Sequence, residues 1–423
     1  MKLIHRYSKK DSFAGSVLTL MMGTVGAQAI VMLSMPIIAR FYRPEDLGIL
    51  ASFTAISSMV VVWSAWRYEL AIVLPEMQED AVVLARLSLI ILAAMVALCA
   101  IVVLAGGSSL LSLLGVSYIS PWGIFLPLSI FFAGFSNVMF YWCNRNKQFK
   151  EISISKVVQS GTMVLAQLAA IPLFSANAGG LILGYIGGQF FGAFIFLREL
   201  KNVCGDRLNL RTIKATAGRY SDFPKLSTMG AFLDTAAAQI PLIAITTLYS
   251  PHAGGLFVIA DKVLRVPAAL LGAAVSQVFY QRFVEIKADR DRRIKLILKT
   301  WLYLFSLGCL PMLVIFFFGT DIFSILLGST WKECGKYASV LSIGFMFHFV
   351  AYPTSLGLVA MERLDILFLW QVLYFVSMVA VFVIGHIYLK KDIMMFLWVW
   401  SIKEGVLYLL YMLALMKANQ HAA

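Results

Sequence analysis

The stretches RFYRPEDLGIL (residues 40–50) and TLYSPHAGGLF (residues 247–257) decide how this chain is organised. Both carry Tyr-x-Pro-x-x-x-Gly, as Tyr42, Pro44 and Gly48 and as Tyr249, Pro251 and Gly255, at a constant offset of 207 residues. Each lies where one apolar run ends and the next begins. Proline is tolerated in the first turn of a helix, where its missing N–H would have no partner anyway. Each stretch therefore reads as a tight connection between an outgoing and a returning helix. Tyr-x-Pro turns are common, so the motif gains its weight from its place in the count of apolar runs.

That count is long. The 423 residues are 60% hydrophobic with a mean hydropathy of +0.84, beyond the roughly 45–50% apolar share of soluble domains. Apolar runs of about 20 residues, enough to cross a hydrocarbon core about 30 Å thick, recur from end to end. They give about twelve spans: 13–39, 48–74, 82–105, 122–142, 157–175, 180–197, 228–249, 253–281, 296–318, 338–360, 365–388 and 392–415. The basic start and the Ala-Gln-Ala at 27–29 resemble a signal peptide, but the apolar run continues to Ala39, longer than an h-region of about 7–15 residues. It is expected to be a retained first span. The fold class expected is an all-α integral membrane protein of two six-helix lobes, 1–200 and 228–423, joined by a cytoplasmic linker at 201–227. The two motif copies follow the first and the seventh spans. An offset of six spans preserves orientation, so the lobes would be parallel repeats about a pseudo-two-fold axis along the membrane normal.

Charge sets the sides. One set of loops carries Lys2, Arg6, Lys9, Lys10, Arg145, Lys147, Lys150, Lys156, the run from Arg198 through Arg207, Arg211 and Lys214 to Lys225, the run Arg282 to Lys299, Arg363 and Lys417. The alternate loops carry only Arg40, Arg43, Lys332, Lys336, Lys390 and Lys391. The positive-inside rule makes the first set cytoplasmic, with both termini. The net charge of +13 is then explained by topology and anionic lipid headgroups, without nucleic acid. Five cysteines without C-x-x-C spacing imply neither a metal site nor a disulfide framework, and no cofactor motif is present. Gly180, Gly184, Gly188 and Gly192 form an i, i+4 stripe suited to close helix packing, within the chain or in a dimer.

Against this background the intramembrane charges stand out. GLFVIADKVLRVPAALLG (255–272) places Asp261, Lys262 and Arg265 in the eighth span, about two to three helical turns from its outer end and near mid-membrane at about 1.5 Å per residue. Asp261 and Arg265 are i, i+4 and share a face. A charge facing lipid there costs about 2.5–3.5 kcal/mol on insertion scales, so that face should look into protein or a watery cavity. Pro267 removes a backbone donor and invites a kink. Arg67 and Glu69 lie in the second span, Asp234 in the seventh, His348 in the tenth, and Lys403 with Glu404 in the twelfth. Each has a plain structural reading. Arg67 and Glu69 fit snorkelling or local pairing as well as a cavity role; Asp261 with Arg265 fits a register-fixing pair as well as a ligand site; His348 fits a satisfied interior group, and Lys403 with Glu404 a helix pair. Trp63 is one turn from Arg67, within reach for a cation–π contact. The excess of positive charge at Arg265 and Lys262 favours an anionic ligand.

Four segments, IIARFYRPEDLGIL (37–50), RYELAIVLP (67–75), VLRVPAALLGAAVSQVFYQRF (263–283) and LLGSTWKECGKYASVL (326–341), resemble the lipid-linked oligosaccharide flippases of bacterial surface polysaccharide synthesis, the O-antigen flippases of the Wzx type. These belong to the multidrug/oligosaccharidyl-lipid/polysaccharide exporter superfamily. The resemblance implies a V-shaped, two-lobed transporter in the bacterial inner membrane. Its substrate would be an undecaprenyl-diphosphate-linked glycan, moved from the cytoplasmic to the outer leaflet by alternating access. It also implies Arg265 and Lys262, then Arg67, as substrate-binding residues, with Asp234 as a charge partner; by its spacing Asp261 is the partner of Arg265, and desolvated Asp234 or Glu69 would be the coupling acid of a proton-driven cycle. Membrane lipids, a polysaccharide polymerase and chain-length proteins are the partners implied. Two alternatives stay open: a cation-coupled small-molecule exporter of the same superfamily, and a membrane polysaccharide polymerase or ligase. An enzyme of the latter kind needs convergent acids and bases on an outer loop, whereas the outer stretches 106–121 and 319–337 contain no His. No G-x-x-x-x-G-K-[ST] occurs, which argues against direct ATP drive.

Overall fold

A computed structural model of the chain describes residues 13–113, 115–174, 176–204, 210–361, 363–389 and 392–421. Of the charges used above to assign sides, Lys2, Arg6, Lys9, Lys10, Arg207, Lys390 and Lys391 lie outside these residues. Twelve long helices account for most of the chain: α1 Phe13–Phe41, α2 Pro44–Val61, α3 Gln78–Leu113, α4 Leu126–Arg145, α5 Phe149–Phe174, α6 Ala178–Phe194, α7 Thr228–Leu248, α8 Pro251–Glu285, α9 Arg290–Leu327, α10 Lys332–Ala351, α11 Leu364–Tyr388 and α12 Ile393–His421. The fold is all-α among the described residues, and each expected span has its helix. Two short helices, Leu197–Cys204 and Leu210–Arg219, lie between α6 and α7.

Nine of these segments are long and apolar enough to cross a membrane one by one, and the bent pair Ala178–Phe194 with Leu197–Cys204 (55°) makes a tenth. The long helices outside that set are α2 and α8. Their sequences say why. α2 begins Pro-Glu-Asp and carries Ser52, Thr54, Ser57 and Ser58, while α8 carries Asp261, Lys262 and Arg265. These are the two helices that directly follow the repeated Tyr-x-Pro motif. A helix too polar for lipid must be shielded by its neighbours, and both are buried over much of their circumference in part of their length: Gly48, Ala51, Ser52, Phe53, Ala55 and Ser57 on α2, Gly255, Leu256, Phe257, Ile259, Ala260 and Leu264 on α8.

The second span departs from the expected unbroken run at 48–74. α2 stops at Val61, and only a single further turn, Tyr68–Ala71, is helical. The cause lies in the backbone of Trp66 and Arg67, whose φ values of 50° and 61° are left-handed. For residues with a Cβ that region is sparsely populated, and two such residues in a row cannot continue a right-handed helix.

Two compact units are formed, one ending at Ile243 and the next beginning at Ala244, so α7 is shared between them. The division of lobes at 201–227 read from sequence remains a proposal about the repeat. Within each unit the repeated motif makes the same contact. Tyr42 Oη donates to the Gln167 carbonyl on α5 at 2.7 Å, and Tyr249 Oη donates to the Leu389 carbonyl at the end of α11, also at 2.7 Å. Pro44 and Pro251 each sit in the first turn of the following helix. A further pair obeys the offset: Arg86 and Arg293, again 207 residues apart, are both buried. Arg86 Nε donates to the Val203 carbonyl; Arg293 donates to the carbonyls of Lys287 and, at 3.3 Å, Asn419. Each ties the start of the third helix of its half to backbone at or just beyond the end of the sixth.

The glycine stripe is used inside the chain. A Cβ on Gly184 would lie 2.5 Å from Gln167 Cγ, and one on Gly188 would lie 2.6 Å from the Gln159 carbonyl. The approach lets Ser155 Oγ donate to the Gly192 carbonyl at 2.8 Å and Gln167 Nε2 donate to the Leu181 carbonyl at 3.2 Å. Not every loop charge faces headgroups either. The Arg145 guanidinium holds the 72–78 segment, donating to the carbonyls of Ile72 (3.2 Å), Pro75 (2.6 Å), Glu76 (3.3 Å) and Met77 (3.2 Å) and to Gln78 Oε1 (3.1 Å).

Candidate functional site

In the second unit, α8 enters with Pro251 in its first turn and Ser250 as N-cap, whose Oγ accepts from the Ala253 N–H at 3.1 Å. Three turns on, Arg265 Nε meets Asp261 Oδ1 at 2.5 Å, so the shared face expected from i, i+4 spacing is realised as a short charge-assisted hydrogen bond. Both side chains keep partial exposure, 39% and 29%. Lys262 is exposed on the same helix and makes no ion pair among the described residues. The local charge is therefore one positive in excess.

What surrounds Arg265 comes from α10, α11 and α12. Its guanidinium carbon lies 5.6 Å from the centre of the Phe345 ring. Phe345 stacks on His348 at 5.4 Å, and His348 is also stacked on Tyr352 at 5.3 Å and met edge-on by Tyr408 at 4.8 Å. On α12, Lys403 Nζ sits 2.6 Å from Glu404 Oε1, with the rings of Trp400 and Tyr374 at 4.3 and 4.6 Å. Tyr374 of α11 donates to the same Glu404 oxygen at 3.0 Å. Both side chains of the Lys403–Glu404 pair are buried, 10% and 6% exposed. Phe345, His348, Tyr408 and Tyr374 link Arg265 to the Lys403–Glu404 pair through successive ring contacts. Residues that sequence reading treated as separate thus form one cluster, with Tyr374, Tyr408 and Trp400 added to it. The signal available in the sequence was only their aromatic character on apolar spans.

The first unit holds Arg67, Glu69 and Asp234. Arg67 Nη1 and Glu69 Oε1 are 3.9 Å apart, with side chains 28% and 7% exposed. Together with Ser57, Ser58, Asn137, Tyr185 and Thr235 they line a cavity of about 240 Å³. Asp234 is exposed, next to Thr235, and makes no ion pair among the described residues. The expected Trp63–Arg67 contact is not formed: Trp63 instead meets Phe232 edge-on at 5.6 Å, because the left-handed turn at Trp66 and Arg67 removes the helical spacing on which it depended.

Comparison with known proteins places this geometry. The solved structures that resemble it include an inward-facing multidrug resistance MATE family transporter of the MOP superfamily (TM-score 0.74, 14% identity, 93% of this chain and 95% of that one). The lipid II flippase MurJ in an inward closed conformation follows (TM-score 0.67, 15% identity, 96% and 90%). A MOP superfamily transporter from Pyrococcus furiosus, described as having a binding pocket of reverse polarity, is also similar (TM-score 0.57, 12% identity, 96% and 96%). At these identities the likeness is one of fold. Among curated proteins no match is found. The family model described as polysaccharide biosynthesis protein matches residues 37–336, a range that contains both Tyr-x-Pro motifs, Arg67, Glu69 and the whole of α8. The chain belongs to the polysaccharide biosynthesis protein family.

Proposed function

We propose that the protein is a flippase that carries an undecaprenyl-diphosphate-linked oligosaccharide from the cytoplasmic to the outer leaflet by alternating access, for O-antigen or another surface polysaccharide. The observation that carries this reading is α8. In a polysaccharide biosynthesis protein, the helix least suited to lipid presents Lys262 and Arg265 with only Asp261 beside them. A guanidinium and an ammonium in a membrane interior suit a diphosphate. Asp261 keeps Arg265 hydrogen-bonded while the site is empty, and an arriving phosphate replaces that carboxylate or shares the guanidinium with it. MurJ, similar in fold, is a flippase for lipid II. In this reading the basic loops and both termini face the cytoplasm of a bacterial inner membrane, and the polysaccharide polymerase and chain-length proteins act on the product.

A cation-coupled exporter would need carboxylates open to an external cation. Asp261 and Glu404 are held by basic neighbours at 2.5 and 2.6 Å, which supports the flippase, whereas Asp234, exposed and without an ion pair among the described residues, is the carboxylate such an exporter would use. The test is complementation of a strain that lacks its own flippase. Arg265→Ala should abolish surface polysaccharide while the protein persists in the membrane, and Arg265→Lys should retain part of it if charge alone matters. Normal polysaccharide with Arg265→Ala would contradict the proposal.

A further inference from the structure

The cavity of about 240 Å³ in the first unit is walled by α2, α4, α6 and the first half of α7, with Arg67, Glu69, Ser58, Asn137, Tyr185 and Thr235 as its polar groups. Its charged pair does not close. The 3.9 Å between Arg67 Nη1 and Glu69 Oε1 exceeds hydrogen-bond length. Arg67 Nε and Glu69 Oε2 are both buried without a hydrogen-bond partner among the described residues, and the Glu69 side chain is only 7% exposed. Unmet charged groups in such a place are unfavourable. The left-handed backbone at Trp66 and Arg67 adds local strain at the same point, a combination typical of ligand sites.

The chemistry of the gap selects its occupant. A group that satisfies both sides must accept from the guanidinium and donate to the carboxylate. Phosphate accepts only and is repelled by Glu69; an ammonium donates only and is repelled by Arg67. A hydroxyl does both, as does water, and neighbouring hydroxyls on one ring can, unlike a single water, engage the pair together with Asn137 and Tyr185 at once. The volume falls below the roughly 300–1,000 Å³ of pockets for drug-sized ligands, so one ring is the right scale. The geometry points to a subsite for a single uncharged sugar ring, which resting on the flippase reading would be a residue of the carried glycan. The diphosphate is left to Lys262 and Arg265.

The test uses the purified full chain in lipid nanodiscs. Methyl glycosides of common hexoses and N-acetylhexosamines are the probes, pyrophosphate is the contrasting probe, and binding is read by isothermal titration. At least one neutral glycoside should bind, and pyrophosphate should not displace it. Glu69→Gln and Asn137→Ala should each weaken binding by about tenfold or more, the loss of a hydrogen bond to a charged or polar group. Tyr185→Phe, which removes one hydroxyl and keeps the ring, guards against misfolding of the other two and should weaken binding severalfold. No glycoside binding by folded protein, binding unchanged in all three variants, or displacement by pyrophosphate would each overturn the assignment and leave the cavity to water. The flippase reading is scored apart from this. Glycoside binding combined with normal surface polysaccharide in Arg265→Ala supports the subsite and contradicts the flippase, whereas no binding combined with lost polysaccharide does the reverse.

Discussion

The two units are anchored alike and filled differently. Tyr42 and Tyr249 make the same hydroxyl-to-carbonyl bond at 2.7 Å, and Arg86 and Arg293 pin the corresponding helix starts. Between the last two helices of each half the likeness ends. α5 and α6 pack along most of their length through the glycine stripe, whereas α11 and α12 touch over a short stretch. Where the first unit has glycine against backbone, the second has Trp370, Tyr374, Tyr408 and Tyr411 around the Lys403–Glu404 pair. The charged pairs differ in the opposite sense, loose at Arg67–Glu69 in the first unit and tight at Arg265–Asp261 in the second. The shared motif keeps the same contact in both units while the packing around it differs.

The first test lies in the closed pair. Gly188→Leu puts a side chain where even a Cβ would be 2.6 Å from the Gln159 carbonyl. Overpacking of this kind costs typically about 1–3 kcal/mol, and more when backbone must move. Folded protein recovered by size-exclusion chromatography should be largely lost. Near-normal recovery would mean that α5 and α6 are not held as tightly as described.

The open pair should behave differently. Glu404→Gln leaves the Lys403 ammonium buried without its carboxylate, a loss of about 3–5 kcal/mol for a buried pair broken on one side. The double variant Glu404→Gln with Lys403→Met should recover most of the thermal stability, since both charges go together. If the double variant is no more stable than the single, the pair is not what holds these helices.

The smallest effect is the most informative about the repeat. Tyr42→Phe and Tyr249→Phe each remove one hydroxyl bond, a loss of about 1 kcal/mol, and the two should lower the melting temperature by similar amounts. A large inequality would show that the shared motif is not used equivalently.

Much of this was legible in sequence. Twelve apolar runs correspond to twelve helices, and the shared Tyr-x-Pro motif makes the same hydroxyl-to-carbonyl contact in each unit. Arg86 and Arg293 share the same offset, yet escaped notice because a charge near a span end reads as a loop residue unless its burial is known. The break at 62–67 was hidden because the apolar run Val60 to Trp66 continues through it, and hydropathy carries no information about a left-handed φ. Around Arg265 the i, i+4 partner was visible because it lies on one helix. Phe345, His348, Tyr374 and Glu404 were not connected to it, since they arrive from three other helices that only packing brings together.

The most direct test of the central claim, that Arg265 serves an anionic substrate and does more than pair with Asp261, is the double variant Asp261→Asn with Arg265→Gln. Both charges of the pair are removed together, so neither member is left without the other and membrane abundance should return close to normal. Surface polysaccharide, measured alongside, should remain absent, with lipid-linked oligosaccharide accumulating on the cytoplasmic face. Normal abundance together with full surface polysaccharide would return both residues to the scaffold and contradict the account.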